Sequence, residues 1–281
     1  MMARTLKTVL TNFSSGEINP LLANRIDTPA YNNGAKQCRN FALLAEGGIM
    51  RRPGTSYLAT LAAESRIIPF VFSDDEIAII VLSNNRMDVY NISGTTIVSN
   101  YTTNCNWTTA QLFELNYAQF GDTIFITHRD NPTRKIFRSS ASTFTVTAFD
   151  FDIEEDIVVS GSYKKATPFY KYEDGNTTLT LSTSATGTGR TITSSVGFFT
   201  SGYIGSYLLI DGSQIQITGY TSPTVVTGTI IETVSGGTGP HFDWKEEAIS
   251  PARGYPQAVT FHNNRLWLGG LKSRPAGILA S

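Results

Sequence analysis

The chain has 281 residues, a net charge of −1 and only 16% charged residues. That length suits two domains or one large all-β body, which buries roughly three quarters of its unfolded surface without needing metals or disulfides. The charge balance argues against a protein that grips nucleic acid by neutralising phosphates, because that needs a local excess of Lys and Arg.

The first residues, MMARTLKTVLTNFSSGE, lack the apolar core of a signal peptide, and the chain contains no run of about 18 apolar residues. Synthesis in the cytoplasm, without a membrane span, is the expectation. Thr28 followed by Pro29 reads as a helix start, with Asp27 or Thr28 as the cap. Tyr31, Ala35, Cys38 and Ala42 recur at helical spacing and continue it on one face, while Gly34 weakens it and Gly47 and Gly48 end it. Ile49 to Leu61 reads as two short strands around a turn at Pro53 and Gly54.

From Arg66 the texture becomes β: apolar β-branched and aromatic runs broken by Asn, Asp, Ser and Gly. Strands are expected at Ile67 to Phe72, Ile77 to Leu82 and Met87 to Ile92. One phrase recurs, an aromatic entry, a polar turn and an apolar run, as IIPFVFSDDEIAIIVL, NYAQFGDTIFIT and AVTFHNNRLWLGG. Three copies suggest antiparallel meanders packed like propeller blades, against the alternative of unrelated hairpins sharing turn chemistry.

Residues 161–240 are rich in Thr, Ser and Gly, yet Leu179 and Leu181, Leu208 and Ile210, and Ile215 and Ile217 alternate as half-buried strands do. They read as a small β domain inserted in a larger body. The resulting plan is an N-terminal docking arm over 1–62 with a short helix and a hairpin, a propeller-like meander body over 63–160, the insert over 161–240, and a return to the body over 241–281.

Candidate chemistry is sparse. His128, His241 and His262 share no triad or ligand spacing, and Cys38 and Cys105 form no CxxC motif, so both cysteines read as reduced structural thiols. The acidic run AFDFDIEEDIVV alternates carboxylates with Phe149, Phe151 and Ile153, the pattern of an edge strand rather than of a calcium loop. ATGTGRTI lacks both dinucleotide and Walker spacing. No catalytic residue, metal or cofactor is expected. Arg51 and Arg52 beside the rigid Pro53–Gly54 turn form a fork that can hold carboxylates of a neighbouring subunit, or Glu17 or Asp27 of the same chain.

Residues 13–57, FSSGEINPLLANRIDTPAYNNGAKQCRNFALLAEGGIMRRPGTSY, carry a dense order of marker positions: Gly16, Glu17, Pro20, Leu21, Arg25, Asp27, Tyr31, Gly34, Asn40, Gly47, Gly48 and Arg51 to Thr55. This stretch resembles the N-terminal signature of the tail nozzle (tail tubular protein B-like) family of short-tailed bacteriophages. The stretches YAQFGDTIFITHRDNPTRKI and WKEEAISPARGYPQAVTFHNNRLWLGGLKSR extend the resemblance. Members of that family are usually far longer, so either a C-terminal portion lies outside this chain or it is a short variant.

The resemblance implies a virion structural protein, not an enzyme, that forms a hexameric ring at the distal end of the tail. Its implied partners are further copies of itself, a tail adaptor protein and tail fibres or spikes, with genomic DNA passing without specific binding. Glu17, Arg25, Asp27, Arg51 and Arg52 are the candidate subunit-interface residues. A rival reading is a receptor- or carbohydrate-binding tail module, suggested by Trp107, Trp244, Trp267 and many tyrosines.

Overall fold

The structure, a computed structural model, describes residues 9–61 and 63–281. Positions 1–8 and Ala62, which fall within the expected docking arm, lie outside the described residues. The protein is all-β with antiparallel sheets, and its helical content is limited to single turns. It divides into a first unit that ends at Leu58 and a second that runs from Ala59 to Ser281.

In the first unit, β1 (Gly16–Glu17) lies parallel to β2 (Gly34–Ala35), and β3 (Phe41–Leu43) forms a hairpin with β4 (Ile49–Arg51). The helix expected over Tyr31 to Ala42 is a single turn, Pro29–Asn32. Past that turn the backbone pairs with β1 instead: the Asn33 carbonyl takes the Ser15 N–H at 3.0 Å, and the Ala35 carbonyl takes that of Ile18 at 3.0 Å. Thr28 precedes the turn without capping it, and its hydroxyl donates to the Arg25 carbonyl instead. Gly47 and Gly48 end no helix. Gly47, at φ +90°, turns the β3–β4 hairpin, a conformation that suits glycine. Of the two strands expected over Ile49 to Leu61, only β4 forms, because its partner lies upstream in β3 and Pro53 offers no N–H to extend the ladder.

The second unit opens with two four-stranded antiparallel meanders. The first comprises β5 (Ser65–Val71), β6 (Ile77–Ser83), β7 (Arg86–Asn91) and β8 (Thr96–Tyr101). The second comprises β9 (Asn116–Phe120), β10 (Thr123–His128), β11 (Asn131–Ser140) and β12 (Thr143–Ala148). Alternation drives their packing. Ile68 and Phe70, Ile80 and Leu82, Met87 and Val89, Ile124 and Ile126, and Phe144 and Val146 are all spaced two apart and share one buried core. Pro69 is tolerated because β5 is an edge strand. The Trp107 indole closes that core, donating to the Ser83 carbonyl at 2.9 Å.

A ribbon of β13 (Ile153–Val159) and β14 (Ser162–Lys165) leads into a seven-stranded sheet. Its strands are β15 (Phe169–Tyr170), β16 (Leu179–Leu181), β17 (Gly187–Ser194), β18 (Tyr207–Ile210), β19 (Ser213–Ser222), β20 (Val225–Ile230) and β21 (Trp244–Glu247). The Thr-, Ser- and Gly-rich stretch therefore supplies a sheet with its own core, in which Leu179, Leu208, Ile210, Ile215, Ile217 and Trp244 are fully buried. Its last strand, β21, lies within 241–281, the stretch read from the sequence as the returning body.

Gly228 shows how tightly the central strands pair. A Cβ there would stand 2.7 Å from the Gln216 carbonyl of β19 and 3.0 Å from Ile215 Cγ2. Gly228→Ala is expected to cost about 1–3 kcal/mol, as overpacking between rigid strands does. Urea unfolding would show the cost as a lower midpoint with an unchanged slope.

The chain closes with a three-stranded meander, β22 (Pro256–His262), β23 (Arg265–Leu271) and β24 (Arg274–Ala280). Asn263 and Asn264, both at positive φ, make the tight turn between β22 and β23. This meander is fastened to the second one. The Thr127 hydroxyl donates to the Gln257 carbonyl at 2.9 Å, Gln257 Nε2 donates to the Glu114 carbonyl, and Phe261 stacks on Phe120 with centroids 5.0 Å apart. The recurring sequence phrase is thus the first hairpin of each of the three meanders.

Candidate subunit interface

The first unit has no apolar core. Among its described residues only Gly16, Gly34 and Gly47 are buried, and both hydrophobic cores begin at Ile68 or later. Large apolar side chains instead face outward: Leu21 is 90% exposed, Tyr57 78%, Ile26 74% and Phe41 51%. Isolated exposed apolar residues need no explanation, but a unit that leaves most of its large apolar side chains in solvent has surface to cover.

Backbone contacts and short polar bridges hold this unit together. Asn19 Oδ1 accepts the Leu21 N–H at 2.9 Å, and Glu17 Oε2 accepts the Cys38 N–H at 3.0 Å. Arg25 holds Asp27 in a two-pronged pair, with Nε and Nη2 each 2.8 Å from a carboxylate oxygen. This hydrogen bonding lowers the Asp27 pKa and raises that of Arg25, although both groups are in solvent. Ile18, Pro20, Tyr31 and Lys36 line a hollow of about 520 Å³ in this unit.

The five sequence-derived candidates therefore separate into two sets. Glu17, Arg25 and Asp27 are engaged within the chain. Arg51 and Arg52 are exposed, and among the described residues neither guanidinium has a side-chain partner. Of the two proposed intrachain acceptors, Glu17 takes the Cys38 N–H and Asp27 pairs with Arg25. Ile26, Phe41 and Tyr57 are residues that sequence reasoning passed over, and Leu21 was noted only as a marker position. Their signal was apolar side chains between glycines and polar turns with neither a two- nor a 3.6-residue period, so no face could gather them into a core.

Buried polar groups in the second unit serve the fold. Glu246, 1% exposed, receives Nε and Nη2 of Arg253 at 2.7 Å each and the Tyr203 hydroxyl at 2.7 Å. Burial alone would lower the Arg253 pKa, but the hydrogen bonds and charge of Glu246 outweigh it and raise it. Lys165 bridges Asp150 at 2.6 Å and Glu247 at 3.3 Å. The run AFDFDIEEDIVV thus spends carboxylates on lysines, with Glu154 on Lys164 at 3.5 Å.

His128 is buried against Glu114 at 3.1 Å, and His241 against Asp211 at 2.6 Å, while His262 is exposed at the end of β22. Both cysteines are free, and burial pushes the Cys105 thiol up to about 12, which makes it inert as a nucleophile. Among the described residues no cluster of three His, Cys, Asp or Glu side chains is placed to hold a metal, and no helix is long and apolar enough to cross a membrane. No known family model and no curated protein matches the chain.

Proposed function

We propose that this chain is a virion structural protein, a subunit of the tail nozzle of a short-tailed bacteriophage. In this reading copies surround the DNA channel as a hexamer, beneath an adaptor ring and beside tail fibres or spikes. The observation that carries the reading is the coreless first unit: among its described residues it buries only glycines, offers a field of apolar side chains and gives the Arg51 and Arg52 guanidiniums no side-chain partner. Such a segment gains its burial from another chain, which is what an assembly arm does. The resemblance of residues 13–57 to the nozzle signature points to the same assembly.

The second unit then supplies the rigid body, and its meanders have the strand order of propeller blades. A net charge of −1 suits a channel wall past which DNA slides, since a basic wall would hold phosphates. Reconstruction of the tail without imposed symmetry tests the proposal. Six copies of this chain around the distal channel are expected; copies only in peripheral spikes, or a lumen lined with Lys and Arg, would sink it.

One feature favours a second reading, carbohydrate binding. Trp107 and Trp244 are buried in cores, but Trp267 is half-exposed beside His262 and Ile278 in a shallow hollow of about 410 Å³. Aromatic surfaces of this kind hold small ligands. A glycan array decides it: binding that is lost in Trp267→Ala would favour the receptor module, whereas a nozzle subunit stays silent.

A further inference from the structure

Lys165, the last residue of β14, is fixed through its backbone: its N–H donates to Gln214 Oε1 of β19 at 2.9 Å, and its carbonyl accepts from Gln214 Nε2 at 2.8 Å. Its side chain is only 14% exposed, and Nζ lies 2.6 Å from Asp150 Oδ1 and 3.3 Å from Glu247 Oε1. The Phe151 and Tyr207 rings flank the amine, with centroids 5.9 and 5.5 Å away. Glu247, on β21, is 4% exposed and pinned through both oxygens, by the Thr167 hydroxyl at 3.0 Å and the Tyr207 N–H at 3.2 Å. Asp150 is oriented by the Phe151 N–H, which donates to its Oδ1 at 2.9 Å.

In water an ammonium and a carboxylate stay an ion pair, because hydration stabilises both charges. Removal from water weakens that preference, and fixing the reacting groups in contact turns an encounter into an intramolecular step. Burial is the largest influence on both Glu247 and Lys165 and favours the neutral acid and the neutral amine. It raises the Glu247 pKa, whereas at Lys165 the two carboxylates outweigh it and hold the proton. A neutral, nucleophilic Lys165 therefore arises by handing its proton to Glu247. The three side chains line a hollow of about 170 Å³, which has room for a departing water. Thr133 lines it too, and its buried hydroxyl has no hydrogen-bond partner among the described residues, which leaves it free to donate to an oxyanion.

We propose that Lys165 and Asp150 condense into an isopeptide bond, with Glu247 as the proton relay. The Lys165 ammonium passes a proton to Glu247, and the freed Nζ lone pair attacks Asp150 Cγ to form the N–C bond. Glu247 delivers that proton, and then a second from the same nitrogen, to one Asp150 oxygen. The C–O bond to that oxygen breaks and water leaves, while the remaining proton stays on the amide. Nothing is oxidised or reduced and no further reactant enters. Asp150 is the acyl partner because it is nearer the amine and 66% exposed, so water can escape, whereas Glu247 is buried and pinned. The bond closes the loop from Asp150 to Lys165 that contains the β13–β14 ribbon. It forms within one copy and is independent of the ring reading.

Mass spectrometry of the urea-unfolded full chain tests the proposal. The parent should be lighter by one water. After trypsin, residues 165–171 should stay joined to the peptide that holds Asp150, with no cut after Lys165. Lys165→Arg should show the full mass. Asp150→Asn should link with loss of ammonia and reach the same final mass as the linked parent, because the side-chain nitrogen leaves in place of the oxygen. Glu247→Gln keeps the shape and removes the relay, so it should link at least about a hundredfold more slowly over a time course. If Glu247→Gln fails to fold, the other two variants still decide.

A parent of full mass that releases residues 166–171 as a free tryptic peptide overturns the proposal. A loss of water that persists in Lys165→Arg marks closure of an aspartate on its own backbone and overturns it as well. So does a link that maps to Glu247.

Discussion

Arg51→Glu with Arg52→Glu is expected to leave a folded monomer that no longer assembles. Both guanidiniums are exposed beside Ile49 and Met50, themselves partly in solvent, and among the described residues neither is paired with a carboxylate. An arginine pair next to a proline presents donors in a fixed fork, and the partner it suits is a carboxylate or a carboxylate pair on another subunit. Reversal removes charge-assisted hydrogen bonds and adds repulsion, so the association constant per contact should fall on the order of a hundredfold.

Sedimentation velocity would show loss of the ring species, while circular dichroism and the melting temperature of the monomer should be unchanged, because no buried contact is touched. Arg51→Lys with Arg52→Lys should give an intermediate loss, since lysine keeps the charge and loses the fork. If both variants assemble as the parent does, the arginines are not an interface and the arm docks through its apolar side chains alone. A tail adaptor pull-down on the same proteins separates contact with the adaptor from contact between copies.

The β body was legible because period-two alternation and turn chemistry are local. Ile68 with Phe70 and Leu208 with Ile210 announce their strands without knowledge of any partner, and Asn263–Asn264 announces a hairpin. The helix over Tyr31 to Ala42 was misread for the opposite reason: its spacing is helical, but past the first turn the backbone pairs with Ser15 and Ile18, whose approach no local pattern encodes.

The candidate interface was half legible. Charged residues in a turn-rich stretch drew notice, whereas the exposure of Leu21 and Tyr57 has no local signal, because it follows from a unit without a core to receive them. Pairings between distant residues, such as Lys165 with Glu247 or Glu246 with Arg253, are invisible to spacing because the strands that bring them together are set by global topology.

Arg253→Ala is expected to be the most damaging single change in the second unit. Its guanidinium grips Glu246 in β21 through two bonds of 2.7 Å, reaches Glu173 at 3.2 Å and lies 4.3 Å from the centre of the Tyr172 ring. Removing it leaves the Glu246 carboxylate, 1% exposed, with only the Tyr203 hydroxyl as a side-chain donor among the described residues. An uncompensated buried charge of this kind costs about 3–5 kcal/mol. The loss should appear in urea unfolding as a large fall in midpoint.

The pair itself is a weaker asset than its rupture suggests, because both charges lost their water on folding. Arg253→Met with Glu246→Gln should therefore recover more than half of the loss, and a double-mutant cycle should return a coupling on the order of 2 kcal/mol. Recovery of stability need not recover geometry. Arg253 lies in the turn that carries the chain from β21 to Tyr255 and the first strand of the C-terminal meander, so it fixes how that meander leaves the seven-stranded sheet. The repaired double variant is expected to be stable yet to exchange amides faster across residues 255–262, and matching exchange there would show that the ion pair serves stability alone.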